Sequence, residues 1–320
     1  MIVAITGGSG FIGGELVLRH LKIGDEVRVL SRNTKDNSFL SEQPVKWFQI
    51  DVDDNAILEA FVDGADILYH CAGETYNKQL MQSVNVEFTQ KLIVVATGVI
   101  SKWVQLSTVG VYGHYHDGLV SEESSCNPVT AYEKTKLEAD KLVIQAAKQG
   151  AFKYVLLRPT IVYGERMRST ALYRLFSHIN RGTFFFIGSK VIANYVHVSN
   201  VVDAMIFSAK SDKASDQTYI VSDSCAMEHF VSTICIELNV KKPSIRIPEF
   251  LIRNVLRLIN ILPMVNINLS IVDAMTTSVF YDGDKILKQT DSPNFLSIEE
   301  GVTEMVKYWK KIEEKPHGGI

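Results

Sequence analysis

Two short stretches of this 320-residue chain carry side chains of the kind that move a proton. In AYEKTK (131–136), Tyr132 and Lys136 lie four residues apart and would share one face of a helix. A lysine ammonium placed beside a phenol draws its pKa down from about 10 toward neutrality, and a phenolate near neutral pH is a general base for an alcohol or sugar hydroxyl. The spacing Y-x-x-x-K alone also occurs on solvated helix faces. Here it has company: LSTVGVYG (106–113) sets Ser107 and Thr108 at the C-terminal end of a strand, 24 residues before the tyrosine in the case of Thr108. That is the edge at which open α/β sheets bind ligands.

A third stretch opens the chain. MIVAITGGSGFIGGEL runs from an apolar strand into glycines at 7, 8, 10, 13 and 14 and then into a helix. At such a turn glycine lets the backbone approach a ligand, and the free N–H groups of the helix start favour a phosphate. Gly7, Gly10 and Gly13 fit the spacing G-x-x-G-x-x-G of a dinucleotide-binding turn. The end of the second strand then selects the dinucleotide, an acidic residue for the NAD ribose or an arginine for the NADP phosphate. The sequence there is VLSRN, so Arg32, with Lys35 nearby, favours NADP over NAD; a surface arginine without a role is the plainer alternative. Asp51 and Val52 end the third strand, where the carboxylate can accept from an adenine amino group or cap a loop.

The elements that must position these residues follow from pattern. Strand-like runs at 2–6, 26–32, 45–52, 66–72, 103–107 and 153–159 alternate with helical segments near 11–22, 54–62, 80–99 and 130–149. Such alternation predicts a doubly wound α/β domain with a parallel sheet. After residue 160 the rhythm breaks into loops, strand-like YVHV (195–198) and TYIVS (218–222), and helical segments. The expected organisation is a dinucleotide-binding domain over 1–165 with a returning segment at about 195–222, and a smaller substrate lobe from 166–194 and 223–320.

Composition narrows the classes. With 46% hydrophobic and 22% charged residues the chain has a globular balance, and a net charge of −3 with scattered basic residues predicts no nucleic-acid partner. Cys71, Cys126, Cys225 and Cys235 are widely spaced without a C-x-x-C pair, which predicts reduced thiols and no metal site. The apolar start is too short for a signal-peptide core and no run of about 18 apolar residues occurs, so a cytoplasmic protein without stable membrane insertion is expected. PEFLIRNVLRLINILPM (248–264) is amphipathic, with Arg253 and Arg257 on its polar side. That pattern suits a helix of the substrate lobe, the expectation here, or a helix lying on a membrane surface.

Together these stretches resemble the extended short-chain dehydrogenase/reductases, the family of NAD(P)-dependent nucleotide-sugar epimerases, dehydratases and reductases, over nearly the whole chain. TGGSGFIG resembles the family's T-G-x-x-G-x-x-G loop, and DILYHCAG (66–73) its D-x-V-x-H-x-A-A strand. NVEFTQKL (85–92) resembles N-V-x-G-T-x-N-L, with Phe88 where glycine is customary and Asn85 in a structural place. RPTIVYGER (158–166) and YVHVSNVVDA (195–204) resemble two later segments. The resemblance implies a Rossmann-like fold, a homodimer, and the catalytic set Thr108, Tyr132 and Lys136. It implies cofactor contacts from Gly7, Gly10, Phe11, Ile12, Gly13, Arg32, Asp51, Val52, Cys71, Ala72, Gly73, Ser107, Tyr132, Lys136 and Pro159. Substrate contacts are expected from Thr75, Thr108 and Arg166.

Departures narrow the implied reaction. Sugar 4,6-dehydratases of the family carry Asp-Glu after the catalytic threonine, where this chain has Val109-Gly110, and the cysteine of the 3,5-epimerase/reductases is absent there too. What remains is reversible hydride transfer at one carbinol carbon of a nucleotide sugar, by a 4-epimerase or a 4-ketoreductase, with Arg32 pulling toward the reductase. The arginine that many relatives place before the FVHV-like segment is replaced near Ala193 and Asn194. A reductase of a steroid- or flavonoid-like ketone, or a non-catalytic NADP-binding protein, therefore stays open.

Overall fold

The computed structural model describes residues 1–33, 35–50, 54–115, 117–167, 169–259, 272, 275–289 and 295–314. Asp51 and Val52, expected at the cofactor, lie outside the described residues, as do positions 260–264 of the amphipathic stretch.

The first half follows the alternation read from sequence. In chain order come β1 (Ile2–Thr6), α1 (Phe11–Lys22), β2 (Glu26–Ser31), β3 (Lys46–Gln49), α2 (Asn55–Val62), β4 (Ile67–His70), α3 (Lys78–Met81), α4 (Phe88–Ala96), β5 (Lys102–Leu106), β6 (Asp117–Val120), α5 (Ala131–Lys148) and β7 (Lys153–Pro159). Then follow β8 (Ile161–Tyr163), α6 (Ala171–Asn180), β9 (Phe186–Ile187), β10 (Ile192–Ala193), β11 (Tyr195–His197), α7 (Val198–Lys210), β12 (Gln217–Val221), β13 (Cys225–Ala226), α8 (Met227–Leu238), β14 (Arg246–Ile247), α9 (Glu249–Ile259), β15 (Ser278–Tyr281), α10 (Asp284–Gln289) and α11 (Ile298–Glu313).

Seven strands form one parallel sheet in the order β3-β2-β1-β4-β5-β7-β12. Its inner strands are mostly buried because helices cover both faces. On one face Val3 and Ile5 of β1 join Leu16 and Val17 of α1 and Val201 and Met205 of α7. On the other, Ala4 joins Phe61 of α2, Leu92 of α4 and Val143 of α5. The order reverses between β1 and its two neighbours β2 and β4, which opens a crevice at the carboxyl ends of those strands.

Two features differ from the sequence reading. The single helix expected near 80–99 is α3 and α4 joined by a π-helical turn over Gln82–Glu87, a widened turn that apolar periodicity does not reveal. Outside the main sheet lie several strands of two to four residues paired as short ribbons: β8 with β11, β9 with β14, β10 with β13, and β6 from the first half with β15. Such pairings join segments far apart in the chain and leave no local alternation to read. A separate apolar cluster there packs Phe176 of α6 and Ile234 of α8 on Trp309 of α11.

Candidate active site

The opening turn is built so that only glycine fits. Gly7 has φ 67°, and a Cβ on it would stand 2.8 Å from the Ala72 amide nitrogen. A Cβ on Gly13 would overlap the Gly7 carbonyl oxygen. The carboxyl ends of β1 and β4 are therefore pressed together, and a buried polar chain locks them. Thr89 Oγ1 donates to the Asn85 carbonyl at 2.7 Å, so it accepts from His70 Nε2 at 2.9 Å. That leaves His70 Nδ1 to accept from Thr6 Oγ1 at 2.7 Å, while Thr6 Oγ1 accepts the Ala72 N–H at 3.2 Å. Burial, then the nearby Lys136 ammonium, holds His70 down at about 3, which keeps it in this neutral tautomer. His70 is thus a buried residue at the end of β4.

The start of α1 has the features of an anion site. Gly10 occupies the N-cap without a side-chain hydrogen bond, and the first turn carries no acidic residue, so the helix dipole and the leading N–H groups are not met by the chain's own side chains. A cleft of about 600 Å³ runs from this turn to the carboxyl ends of β4, β5 and β7. At one end it is lined by Ser31, Arg32 and Asn33, at the other by Cys71, Ala72, Gly73, Ser107, Thr108, Tyr132, Lys136 and Pro159. Gly7, Gly10, Phe11, Ile12 and Gly13 line it between them, and Thr75 lies on its outer wall. These surroundings fit a dinucleotide: a side-chain-free turn for the diphosphate, and a cation rather than a carboxylate at the end of β2.

The sequence-predicted proton-moving residues meet in this cleft. Thr130 caps α5 and its capping box uses Glu133, which sets the first turn and with it Tyr132 and Lys136. Gly110 makes room for that box, since a Cβ there would stand 2.9 Å from Glu133 Cγ. The two neighbouring hydroxyls separate in role. Ser107 Oγ donates to the buried Asp140 carboxylate at 2.8 Å, while Thr108 caps the short helix at Val109–Tyr112 by accepting the Gly110 N–H at 3.1 Å. Asp140 also takes Arg158 Nη2 at 3.2 Å, and the Arg158 guanidinium lies over the Tyr112 ring.

The electrostatics reverse one expectation. Lys136 does not depress the Tyr132 phenol: burial, then the Asp140 and Glu133 carboxylates, push it up to about 12. Lys136 is itself fully inside, its ammonium donating to the Leu106 carbonyl at 2.7 Å, and burial lowers its own pKa although Asp140 and Cys71 oppose this. Helix spacing placed the two side chains together but carried no information about the loss of water around them.

Arg166 stands elsewhere than expected: its guanidinium pairs with Glu15 at 2.9 Å and lies 4.2 Å from the Phe39 ring centroid. Asn194, near the customary arginine position, is spent on the Val279 carbonyl and Ser224. Several lining residues escaped the sequence reading. Glu74 accepts the Tyr76 and Asn77 N–H groups at 2.9 and 3.1 Å and feels the Arg32 charge. Leu80, Val84, Phe88 and Met167 give the cleft an apolar outer wall. Phe88 was visible as a departure from glycine; its ring leans on His70 at 5.8 Å.

Comparison with known proteins adds a family and a fold. Residues 3–222 match the model of the NAD dependent epimerase/dehydratase family. Over 289 residues the chain is 23% identical to 3beta-hydroxysteroid-dehydrogenase/decarboxylase isoform 2 of Arabidopsis thaliana, covering 80% of this chain and 51% of that protein. Over 171 residues it is 34% identical to dTDP-6-deoxy-L-talose 4-dehydrogenase (NAD(P)(+)) of Kitasatospora kifunensis, covering 51% of this chain and 52% of the other. The chain thus spans about half the length of these curated relatives. Its fold superposes on UDP-glucuronic acid 4-epimerase from Bacillus cereus, solved in complex with NAD, with a TM-score of 0.75 at 18% identity over 98% of this chain and 100% of that one.

Proposed function

The chain belongs to the NAD dependent epimerase/dehydratase family, and from that premise we propose that it is an NADPH-dependent ketoreductase acting at C4 of a nucleotide-activated sugar. The observation that supports the reductive direction is Arg32, a cation at the end of β2 that lines the cleft where the 2′-phosphate of an exchanging NADPH would be met. The Tyr132 phenol can give its proton to the oxygen of a carbonyl being reduced and take it back in the reverse direction. The chemistry a bound nicotinamide dinucleotide supplies is reversible hydride exchange with that carbon.

The chain's own residues do the rest. Thr108 and Tyr132 hydrogen-bond the reacting oxygen, and Tyr132 passes it the proton. Lys136, whose ammonium donates to the Leu106 carbonyl, would hold the nicotinamide ribose. Gly7 to Gly13 would hold the diphosphate, Arg32 the 2′-phosphate, and Cys71 to Gly73 with Pro159 would wall the nicotinamide side. Val109 and Gly110 offer no carboxylate for water loss, and Glu133 beside them is committed to the Val129 and Thr130 N–H groups; dehydration is therefore not part of the proposal.

A second reading is favoured by the outer wall. Among the described residues lining the cleft the cations are Arg32 and Lys136, and the wall formed by Leu80, Val84, Phe88 and Met167 is apolar. That lining suits an uncharged ketone of steroid or flavonoid type. The test has two parts: mass spectrometry of the small molecules released on denaturing the fresh protein with titration of the stripped protein by NADPH and NADH, then NADPH oxidation with 4-keto nucleotide sugars and apolar ketones. An NADPH preference and turnover of the keto sugars support the proposal. Retained NAD points instead to an epimerase, and turnover of the apolar ketones alone to the second reading.

A further inference from the structure

The outer wall of the cleft is set by one irregular turn. Between α3 and α4 the chain runs as a π-helical turn over Gln82–Glu87, a form that recurs at functional sites. The turn is pinned by Asn85, whose side chain is buried. Its Oδ1 accepts the Glu74 N–H at 2.7 Å, and its Nδ2 donates to the Glu74 carbonyl and to Thr135 Oγ1, both at 3.0 Å. Thr135 lies in α5 between Tyr132 and Lys136 and donates in turn to the Tyr132 carbonyl at 3.0 Å. The turn is thereby fixed to the same stretch of α5 that carries the proton-moving residues. Leu80, Val84 and Phe88, spaced by four along this segment, line the cleft together with Met167, which follows β8.

The polar groups near this wall are already engaged. Ser83 Oγ donates to the Leu80 carbonyl at 3.1 Å, Ser169 Oγ accepts the Ala171 N–H at 3.3 Å, and Glu74 holds the Tyr76 and Asn77 N–H groups. Among the described residues lining the cleft the cations are Arg32, at the end of β2, and Lys136, whose ammonium donates to the Leu106 carbonyl. A carboxylate set against the wall would therefore meet no cation, and a hydroxyl there would exchange water for apolar neighbours, which costs free energy.

A hexose that reacts at C4 can match such a wall with one substituent. Its other ring substituents are polar groups and the anomeric diphosphate, so the position whose polarity varies is C6, carried by C5 next to the reacting carbon. C6 is a methyl, a hydroxymethyl or a carboxylate. On the nucleotide-sugar reading above, on which this inference rests, we propose that the substrate is a 6-deoxy sugar whose C6 methyl sits against Leu80, Val84, Phe88 and Met167. Val84 and Phe88, presented by the π-helical turn, are then specificity-determining residues.

The test uses the full chain and UDP and dTDP sugars of the gluco and galacto series that differ only at C6, as methyl, hydroxymethyl or carboxylate. Each is supplied with NADP+ and with NAD+, and turnover is read as dinucleotide reduction and as appearance of the C4 epimer. The proposal expects kcat/KM for the methyl sugar to exceed that for the hydroxymethyl sugar by at least about tenfold, and that for the carboxylate sugar by more. Val84→Thr keeps the branched shape and adds a hydroxyl, and should narrow the methyl-to-hydroxymethyl ratio by about threefold or more. A ratio between two substrates of one variant is not moved by loss of folded protein. Equal or better turnover of the hydroxymethyl or carboxylate sugar overturns the inference and leaves the nucleotide-sugar reading standing, as does a ratio indifferent to Val84→Thr. Turnover of none of the sugars overturns the reading and the inference together.

Discussion

The floor of the cleft and the outer helix α9 are built by opposite means. At the floor, β1 and β4 meet so closely that Gly7 admits no side chain, and Thr6, His70, Thr89 and Asn85 form one unbroken donor–acceptor chain. Behind it Ser107, Arg158 and Asp140 form a buried charge cluster. In α9 no described side chain is buried. The family match ends at residue 222, one position after β12, so it covers the sheet that carries the floor and stops short of α8, α9 and α11. The difference teaches where variation is affordable: the floor is so closely packed that few side chains fit it, while the exposed face of α9 can change without disturbing the core.

The comparison can be broken first at the floor's acid. Tyr132→Phe removes the proton donor while leaving the ring in place, and the expected loss is about 10²- to 10⁴-fold in turnover with NADPH affinity unchanged by fluorescence titration. Substantial residual turnover would mean the floor is a binding site and not the reaction centre.

Next comes the charge cluster. Asp140→Ala strands the Arg158 guanidinium, which is 6% exposed, and should cost about 3–5 kcal/mol in urea unfolding. Asp140→Asn keeps an acceptor for Ser107 and should cost less. A loss below about 1 kcal/mol for Asp140→Ala would show that the floor is no more tightly determined than the outer elements.

The smallest expected effect sits between the two regions. Asp223 accepts from Asn200 Nδ2 at 3.0 Å, and Asn200 also donates to the Leu296 carbonyl on the chain leading into α11. Burial pushes Asp223 up to about 6, although the Asn200 bond opposes this. Because the folded value lies above the unfolded one, the folded state holds the extra proton, and stability falls as pH rises from about 4 through about 6. Asp223→Asn should flatten that fall and raise stability at neutral pH by about 1–2 kcal/mol, read as melting temperature at pH 5 and pH 8. An unchanged pH slope would show that this junction is not strained by charge.

Much of this was legible in the chain. Strand and helix succession in the first half, the glycine turn, the arginine at the end of β2 and the trio Thr108, Tyr132 and Lys136 are local patterns, and local patterns follow from side-chain periodicity and from what a tight turn permits. The short ribbons, the π-helical turn before Phe88 and the apolar outer wall were not legible, since each depends on residues distant in sequence. Arg166 illustrates the limit: its type suited a phosphate, but Glu15 and Phe39 stand against it.

The sequence by itself determined the sheet, the cofactor turn and which three residues could handle a proton, because those are set by spacing within single elements. Only the tertiary structure decided the surroundings of the Tyr132 phenol. Burial strips water from its phenolate and sets the Asp140 and Glu133 carboxylates near it, while Lys136 is drawn to the Leu106 carbonyl. Desolvation depends on everything packed around a group, which no spacing along the chain records.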